Sequence, residues 1–217
     1  MSSNLEKIHP RVDIRPYELG ESLPEFDCGK DWFNDFINTD EVENYQRARL
    51  GKTKLVYFNG EFAGFFCLSP NSLRDDNYNE EEADGASELY EGPFDMPARL
   101  LGHLAVDERF KGEGLGEYLV KHVLAETLES DTPFRLVILH SQDDVIGFYK
   151  KYGFAKAFPN GGGNSHTTLM FYDLGRLTKN RLWESVGPSE RFADYSFPIR
   201  PVPHGFVEDR FVVSLVW

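Results

Sequence analysis

Cysteine is scarce in this chain. Its 217 residues hold two, Cys28 and Cys67, which form no CxxC metal pair and are too few for a disulfide framework. Each reads as a small core hydrophobe, and a reducing cytoplasm is the expected compartment. Long apolar runs are also missing. No stretch approaches the roughly 18 apolar residues that a membrane span needs. The opening "MSSNLEKIHP" lacks the apolar segment of a signal peptide, so none is expected. Basic residues are outnumbered, 23 Lys and Arg against 36 Asp and Glu, which leaves a net charge of −13. Phosphate neutralisation dominates nucleic-acid binding, so a broad nucleic-acid surface is disfavoured. The six histidines show no metal-ligand spacing, and no metal is expected.

The acids that are present are clustered. Residues 71–95, "NSLRDDNYNEEEADGASELYEGPFD", carry nine acids and one base, or −8 in 25 residues. A solvated loop is the plain reading of such a run. The functional reading is an acidic wall that steers a cationic acceptor.

"DERFKGEGLGEYLV" (107–120) places Gly112, Gly114 and Gly116 at alternate positions just where a helical apolar pattern begins. Glycine is a poor helix former. Three of them at a helix start permit close approach of main-chain N–H groups, and the helix end adds unsatisfied amides and partial positive charge. That combination is an anion site suited to phosphate. The dinucleotide fingerprint does not fit, because its last glycine would fall on Glu117, and no Gly-Lys-Ser/Thr follows for a P-loop.

Along the chain, "VDIRPYEL" (12–19) reads as a strand and "CGKDWFNDFIN" (28–38) as a helix. "DEVENYQRARL" (40–50) reads as a second helix capped by Asp40. "KLVYFNGEFAGFFCL" (54–68) reads as a hairpin about Asn59-Gly60. A strand over 98–107 leads into the glycine turn. The next helix, from about 115 to 129, turns Leu115, Leu119, Val120, Val123, Leu124 and Leu128 inward. "FRLVILH" (134–140) is a strand covered on both faces. A short helix over 143–154 ends at Gly153, and "HTTLMFYDL" (166–174) is a closing strand. This order predicts an α+β protein of three-layer α/β type, with a mixed sheet flanked by helices. The domain is expected to span 12–174. A proline- and aromatic-rich C-terminal appendage follows over 175–217, with "RFVVSLVW" as a last strand and a surface for a possible homodimer.

The pattern resembles the GNAT superfamily of acetyl-CoA-dependent N-acetyltransferases over residues 12–174. The resemblance rests on "LGHLAVDERFKGEGLGEYLV", where the family has Arg/Gln, two residues, Gly, one residue and Gly/Ala, and on "IGFYKKYGF" further on. "FDCGKDWFNDFI" and "LGHLAVD" are similar to the acetyltransferase toxins of toxin–antitoxin pairs. Those act on aminoacyl-tRNA and pair with ribbon-helix-helix antitoxins. Two positions depart from the pattern: Lys111 stands for the family's Arg/Gln, and His103 for the toxins' Arg.

The resemblance implies acetyl-CoA as co-substrate. Its pyrophosphate would be held by the amides from Lys111 through Gly112, Glu113, Gly114 and Leu115 to Gly116. The pantetheine arm would pair with the backbone of Leu104, Ala105 and Val106, and the Val106 amide would polarise the thioester carbonyl. Tyr149 is the candidate general acid, with Tyr152 in reserve. The candidate bases are His103 and His140, with water as the alternative. The expected reaction is direct transfer of acetyl to a primary amine on a small molecule or peptide, cationic if the acidic insert steers it. The alternatives are a toxin acting on aminoacyl-tRNA with an antitoxin partner, and a catalytically silent acyl-CoA- or partner-binding module.

Overall fold

The computed structural model describes residues 11–74, 77–78, 95–157 and 167–177. Strand β1 (Val12–Pro16) precedes helices α1 (Asp31–Asn38) and α2 (Glu41–Arg47). Then come strands β2 (Lys52–Phe58), β3 (Glu61–Leu73) and β4 (Met96–Val106) and helix α3 (Leu115–Leu128). β5 (Leu136–Gln142), α4 (Ile146–Lys151), β6 (Ala155–Lys156) and β7 (Thr167–Asp173) complete the set. The seven strands form one sheet in the order β1-β2-β3-β4-β5-β7-β6, antiparallel throughout except for the parallel pair β4 and β5. The α+β, mixed-sheet architecture is the one expected. Among the described residues no helix is long and apolar enough to cross a membrane.

Local chemistry explains several of these boundaries. Asn59 and Gly60 have φ of 53° and 82°, the paired positive values of a type I′ hairpin turn, so β2 folds straight back into β3. Asp40 precedes α2, but its side chain makes no capping bond; its backbone is already helical, whereas a capping side chain reaches back from an extended residue. Thr39 Oγ1 accepts from the Glu41 amide at 3.3 Å in its place. α3 buries Leu115, Leu119, Val120, Val123 and Leu124 as expected. Leu128 at its end is 39 % exposed, and Thr127, bonded back to the Val123 carbonyl at 2.6 Å, takes the inward place. Cys67 is fully buried, while Cys28 is half-buried, so only the former is a core residue.

The helices lie on opposite faces of the sheet. Leu115, Leu119 and Val123 of α3 pack with Val56, Phe66, Leu101, Val137, Leu139 and Met170 of the strands, joined by Phe148 and Tyr149 of α4. Phe36 and Ile37 of α1 and Val42 and Tyr45 of α2 pack with Leu55, Phe65, Cys67 and Ala105 on the other face.

One irregularity in β4 shapes the middle of the sheet. Leu68 pairs with Leu101 and Cys67 with His103, so Gly102 is an extra residue on β4, a β-bulge. The bulge bends the strand. β4 pairs with β5 only at Ala98↔Leu136, Arg99↔Val137 and Leu100↔Ile138, before the bulge. Beyond it the two strands part, and the sheet is split between residues 101–106 and 139–142.

The acidic insert leaves β3 at Leu73, which pairs with Met96. That is the closed end of the split. The glycine turn follows Val106, ten residues along β4, or roughly 33 Å at strand rise. Tyr78 anchors the start of the insert: it packs on Phe171 at 4.9 Å and donates to Asp173 Oδ2 at 2.5 Å. Arg135 holds the same carboxylate from Nε at 2.7 Å and Nη2 at 2.9 Å. The rest of the insert, except Arg74, Asn77 and Asp95, and the appendage beyond 177 lie outside the described residues.

Candidate active site

The glycine turn supplies the first group of candidate donor atoms. A short 3-10 turn, Glu108–Phe110, is capped by Asp107, whose Oδ1 accepts from the Arg109 amide at 3.0 Å. The chain then passes through Gly112 and Gly114, with φ of 87° and 86°, where a side chain would be strained. Gly114 is the residue from which α3 starts. The amides of Gly112, Gly114, Leu115 and Gly116 donate to nothing among the described residues. Four unpartnered N–H groups at the positive end of a 14-residue helix are a donor set suited to a pyrophosphate. Gly116 also makes room for α4, since a Cβ there would lie 3.4 Å from Phe148 Cζ. The Lys111 side chain is 79 % exposed and only 3.5 Å from Glu108, so its ammonium stands outside the turn.

The second group is the open edge of β4. A Cβ on Gly64 would meet the Ala105 carbonyl oxygen at 2.5 Å, and the Asp107 amide donates to the Ala63 carbonyl at 2.9 Å. Ala105 and Asp107 therefore face β3. Main-chain groups alternate along a strand, so those of Leu104 and Val106 face the split, where β5 has departed. Of the three β4 residues expected to meet a ligand, Leu104 and Val106 present their backbone groups to the gap and Ala105 does not.

The tyrosines differ in what holds them. Tyr152 donates to Glu117 Oε2 at 2.9 Å, and Lys151 Nζ donates to the Tyr152 hydroxyl at 3.2 Å. Glu117 is further tied to Lys121 at 2.9 Å. The Tyr152 hydroxyl is thus committed to an ion network. Tyr149 packs its ring against Phe148 and Phe154, and its hydroxyl has no partner among the described residues. Burial pushes its pKa up to about 12, so the phenol keeps its proton at neutral pH.

The histidines lie on the other face. His103 is 8 % exposed beneath α1 and α2. Phe36 stacks on its ring at 4.2 Å and 16°, with Phe33, Tyr45, Phe65 and Trp32 around it. Desolvation pushes its pKa down to about 4, so it is a neutral ring at pH 7. A ring so hard to protonate is a weak general base at neutral pH. His140 is exposed near the end of β5, two residues from Ile138, and the two share a face. Ile138 belongs to the cluster with Leu100 on the α1–α2 side, so the two histidines face the same way on the two strands that part. Partial desolvation also lowers the pKa of His140.

The surroundings of His103 are the part that sequence reasoning missed. Trp32 and Phe33 stack on each other at 3.8 Å, and Trp32 is 48 % exposed. Their apolar spacing marked them as a helix face, with no sign that the face would close over a histidine. The loop before α1 reaches the end of β4: the Glu108 amide donates to the Asp27 carbonyl at 2.8 Å. From there Lys30 crosses to Asp144, just after β5, at 3.1 Å. The loop therefore bridges the mouth of the split on the α1–α2 side.

Known proteins share this architecture. The profile of the family described as "Acetyltransferase (GNAT) domain" matches residues 20–166. A tRNA-acetylating toxin from Mycobacterium tuberculosis (strain ATCC 25618 / H37Rv) is 22% identical over 138 residues, 62% of this chain and 78% of the toxin. The structure of the toxin AtaT complexed with acetyl-methionyl-tRNAfMet superposes with a TM-score of 0.59 at 19% identity, covering 76% of this chain and 96% of that one. A Tyr-to-Phe variant of AtaT, bound to the C-terminus of the antitoxin AtaR and acetyl-CoA, gives 0.56 at 19% identity and covers 77% and 96%.

Proposed function

The chain belongs to the GNAT acetyltransferase family, an N-acetyltransferase with acetyl-CoA as co-substrate, and from that premise we propose that it acetylates the α-amine of an amino acid carried on tRNA. One observation carries the transfer chemistry: the Leu104 and Val106 backbone groups edge a split in the sheet whose mouth adjoins four unpartnered amides at Gly112–Gly116. Supporting the choice of acceptor is the likeness to a tRNA-acetylating toxin and to AtaT with its acetylated tRNA.

On this reading the amides of Gly112, Gly114, Leu115 and Gly116 hold the pyrophosphate, with Lys111 and Glu113 contributing backbone to the turn and no side-chain fork. The Leu104 and Val106 edge pairs with the pantetheine arm, Ala105 serving as the spacer that faces β3. The thioester supplies an activated acetyl group. The Val106 N–H polarises its carbonyl, a fixed dipole that needs no reorganisation as charge develops. The amine attacks from the α1–α2 side, and its proton leaves to water at the mouth. Tyr149 donates its phenolic proton to the departing thiolate sulfur. Its unengaged hydroxyl supports this choice over Tyr152. An antitoxin like AtaR is the partner that goes with this activity, and the cytoplasm is where charged tRNA is met.

The −8 insert favours a second reading, in which the acceptor is a polycationic amine or a lysine-rich peptide. The test offers the protein acetyl-CoA labelled in the acetyl group, with charged total tRNA or with spermidine. Label in the aminoacyl-tRNA fraction, released by mild alkali as N-acetyl amino acid, is the expected result. Label on spermidine alone would overturn the tRNA reading and install the second.

A further inference from the structure

His103 is built for a task other than taking a proton. Its ring lies among Trp32, Phe33 and Phe36 of α1, Tyr45 of α2, and Phe65 and Cys67 of β3. The titratable groups in that wall are Tyr45 and Cys67, and burial raises the pKa of both, so they are neutral too. Among the described residues no carboxylate in the wall steadies an imidazolium, unlike the base of a catalytic triad.

The neutral ring must put its single proton on one nitrogen. Nδ1 is buried with no hydrogen-bond partner. A buried N–H without an acceptor is the costlier orphan, so the proton belongs on Nε2. Nε2 has no partner among the described residues and is not enclosed as Nδ1 is. It therefore offers a free N–H from β4, one residue from the Leu104 backbone that edges the split.

We propose that His103 is a positioning residue, a fixed neutral donor whose Nε2–H binds the carbonyl oxygen next to the attacking amine of the acceptor. The proposal rests on the reading that acyl transfer takes place at the split. Its logic is electrostatic. A cation at this point would repel an ammonium and compete for the same carbonyl, whereas a neutral donor orients the acceptor without charge. A neutral imidazole in this donor role, its pKa lowered by its setting, is established enzyme chemistry.

The first test needs no acceptor. Long-range 1H–15N spectra of protein labelled at histidine, with His103→Phe to identify the signal, should show the Nε2–H neutral tautomer unchanged from pH 5.5 to 9. A titration midpoint between pH 6 and 8, or an Nδ1–H tautomer, would overturn the proposal even if acetyl transfer to tRNA proceeds. The second test uses charged tRNA and acetyl-CoA. His103→Phe keeps the stacked ring and removes the donor, and kcat/KM should fall roughly 10-fold, the worth of one good hydrogen bond. His103→Gln restores a neutral donor near the Nε2 position and should recover most of that loss, with both variants keeping the wild-type pH profile. A Gln variant as impaired as the Phe variant, or a pH limb that vanishes in either, would identify a base and reject the donor. If no acceptor is acetylated by any of the three proteins, the proposed function fails while the spectra still decide the tautomer.

Discussion

On the α3 side of the sheet the groups with chemistry to offer are main-chain amides and the Tyr149 phenol, and on the α1–α2 side they are the rings around His103. The amides of Gly112, Gly114, Leu115 and Gly116 are placed by backbone conformation alone, two glycines at positive φ and the start of a helix. His103 is placed by five aromatic side chains from three different elements. The contrast fits the proposed placement of the two substrates. A pyrophosphate is the same in every acetyl-CoA, and backbone donors serve it whatever side chains drift nearby. An acceptor must be told from its competitors, and that needs side chains held in one arrangement.

The two sides should respond differently to substitution. The largest effect is expected at Tyr149. Replacing it with Phe should leave acetyl-CoA affinity unchanged and lower kcat about 10²- to 10⁴-fold, the range of general acid catalysis. Steady-state kinetics beside calorimetry checks this, and an unchanged kcat would transfer the role to Tyr152 despite its bond to Glu117.

Next in size is a stability effect confined to the aromatic side. The folded pKa of His103, about 4, lies below its ordinary 6.5. The unfolded chain therefore binds the proton more readily. Stability from this residue is intact above pH 6.5 and is lost as pH falls toward 4, by about 3 kcal/mol in all at 1.36 kcal/mol per unit. Denaturant midpoints at pH 7 and pH 4.5 should show the wild type losing more stability than His103→Phe. Equal losses would mean that His103 is not desolvated as described.

The smallest effect concerns the acidic insert and separates the two acceptors by its sign. Changing Glu80, Glu81 and Glu82 to Gln removes three negative charges. KM for charged tRNA should fall about 2- to 5-fold at low salt and converge with wild type as the Debye length shrinks. For a cationic acceptor KM would rise instead.

How much of this was legible in the sequence follows the same division. The hairpin at Asn59-Gly60 and the glycine turn at 112–116 were readable because local chemistry dictates them: positive φ needs Gly or Asn wherever the chain goes next. The split was not readable. It depends on Gly102 slipping one residue against Cys67 and Leu68, and register between distant strands leaves no local mark. The enclosure of His103 was equally hidden. Trp32, Phe33 and Phe36 announced an apolar helix face, but which strand residue that face covers is settled by packing. The hydroxyls of Tyr149 and Tyr152 also became distinguishable only in three dimensions, through the reach of Glu117 from α3 to Tyr152. Asp40 carried a sound capping signal that lost to local backbone geometry.

The proposed site has an amide-built cofactor half and a ring-built acceptor half, and acetyl-CoA titration calorimetry on three proteins probes their separation. Wild type and His103→Phe should bind acetyl-CoA within about twofold of each other, because His103 and the rings around it lie on the opposite face from the amide turn. Gly114→Val puts a β-branched side chain at φ 86° and at the phosphate approach, so its affinity should fall on the order of 100-fold or more while its circular dichroism stays native. Wild-type affinity in Gly114→Val, or a matching loss in His103→Phe, would contradict that separation.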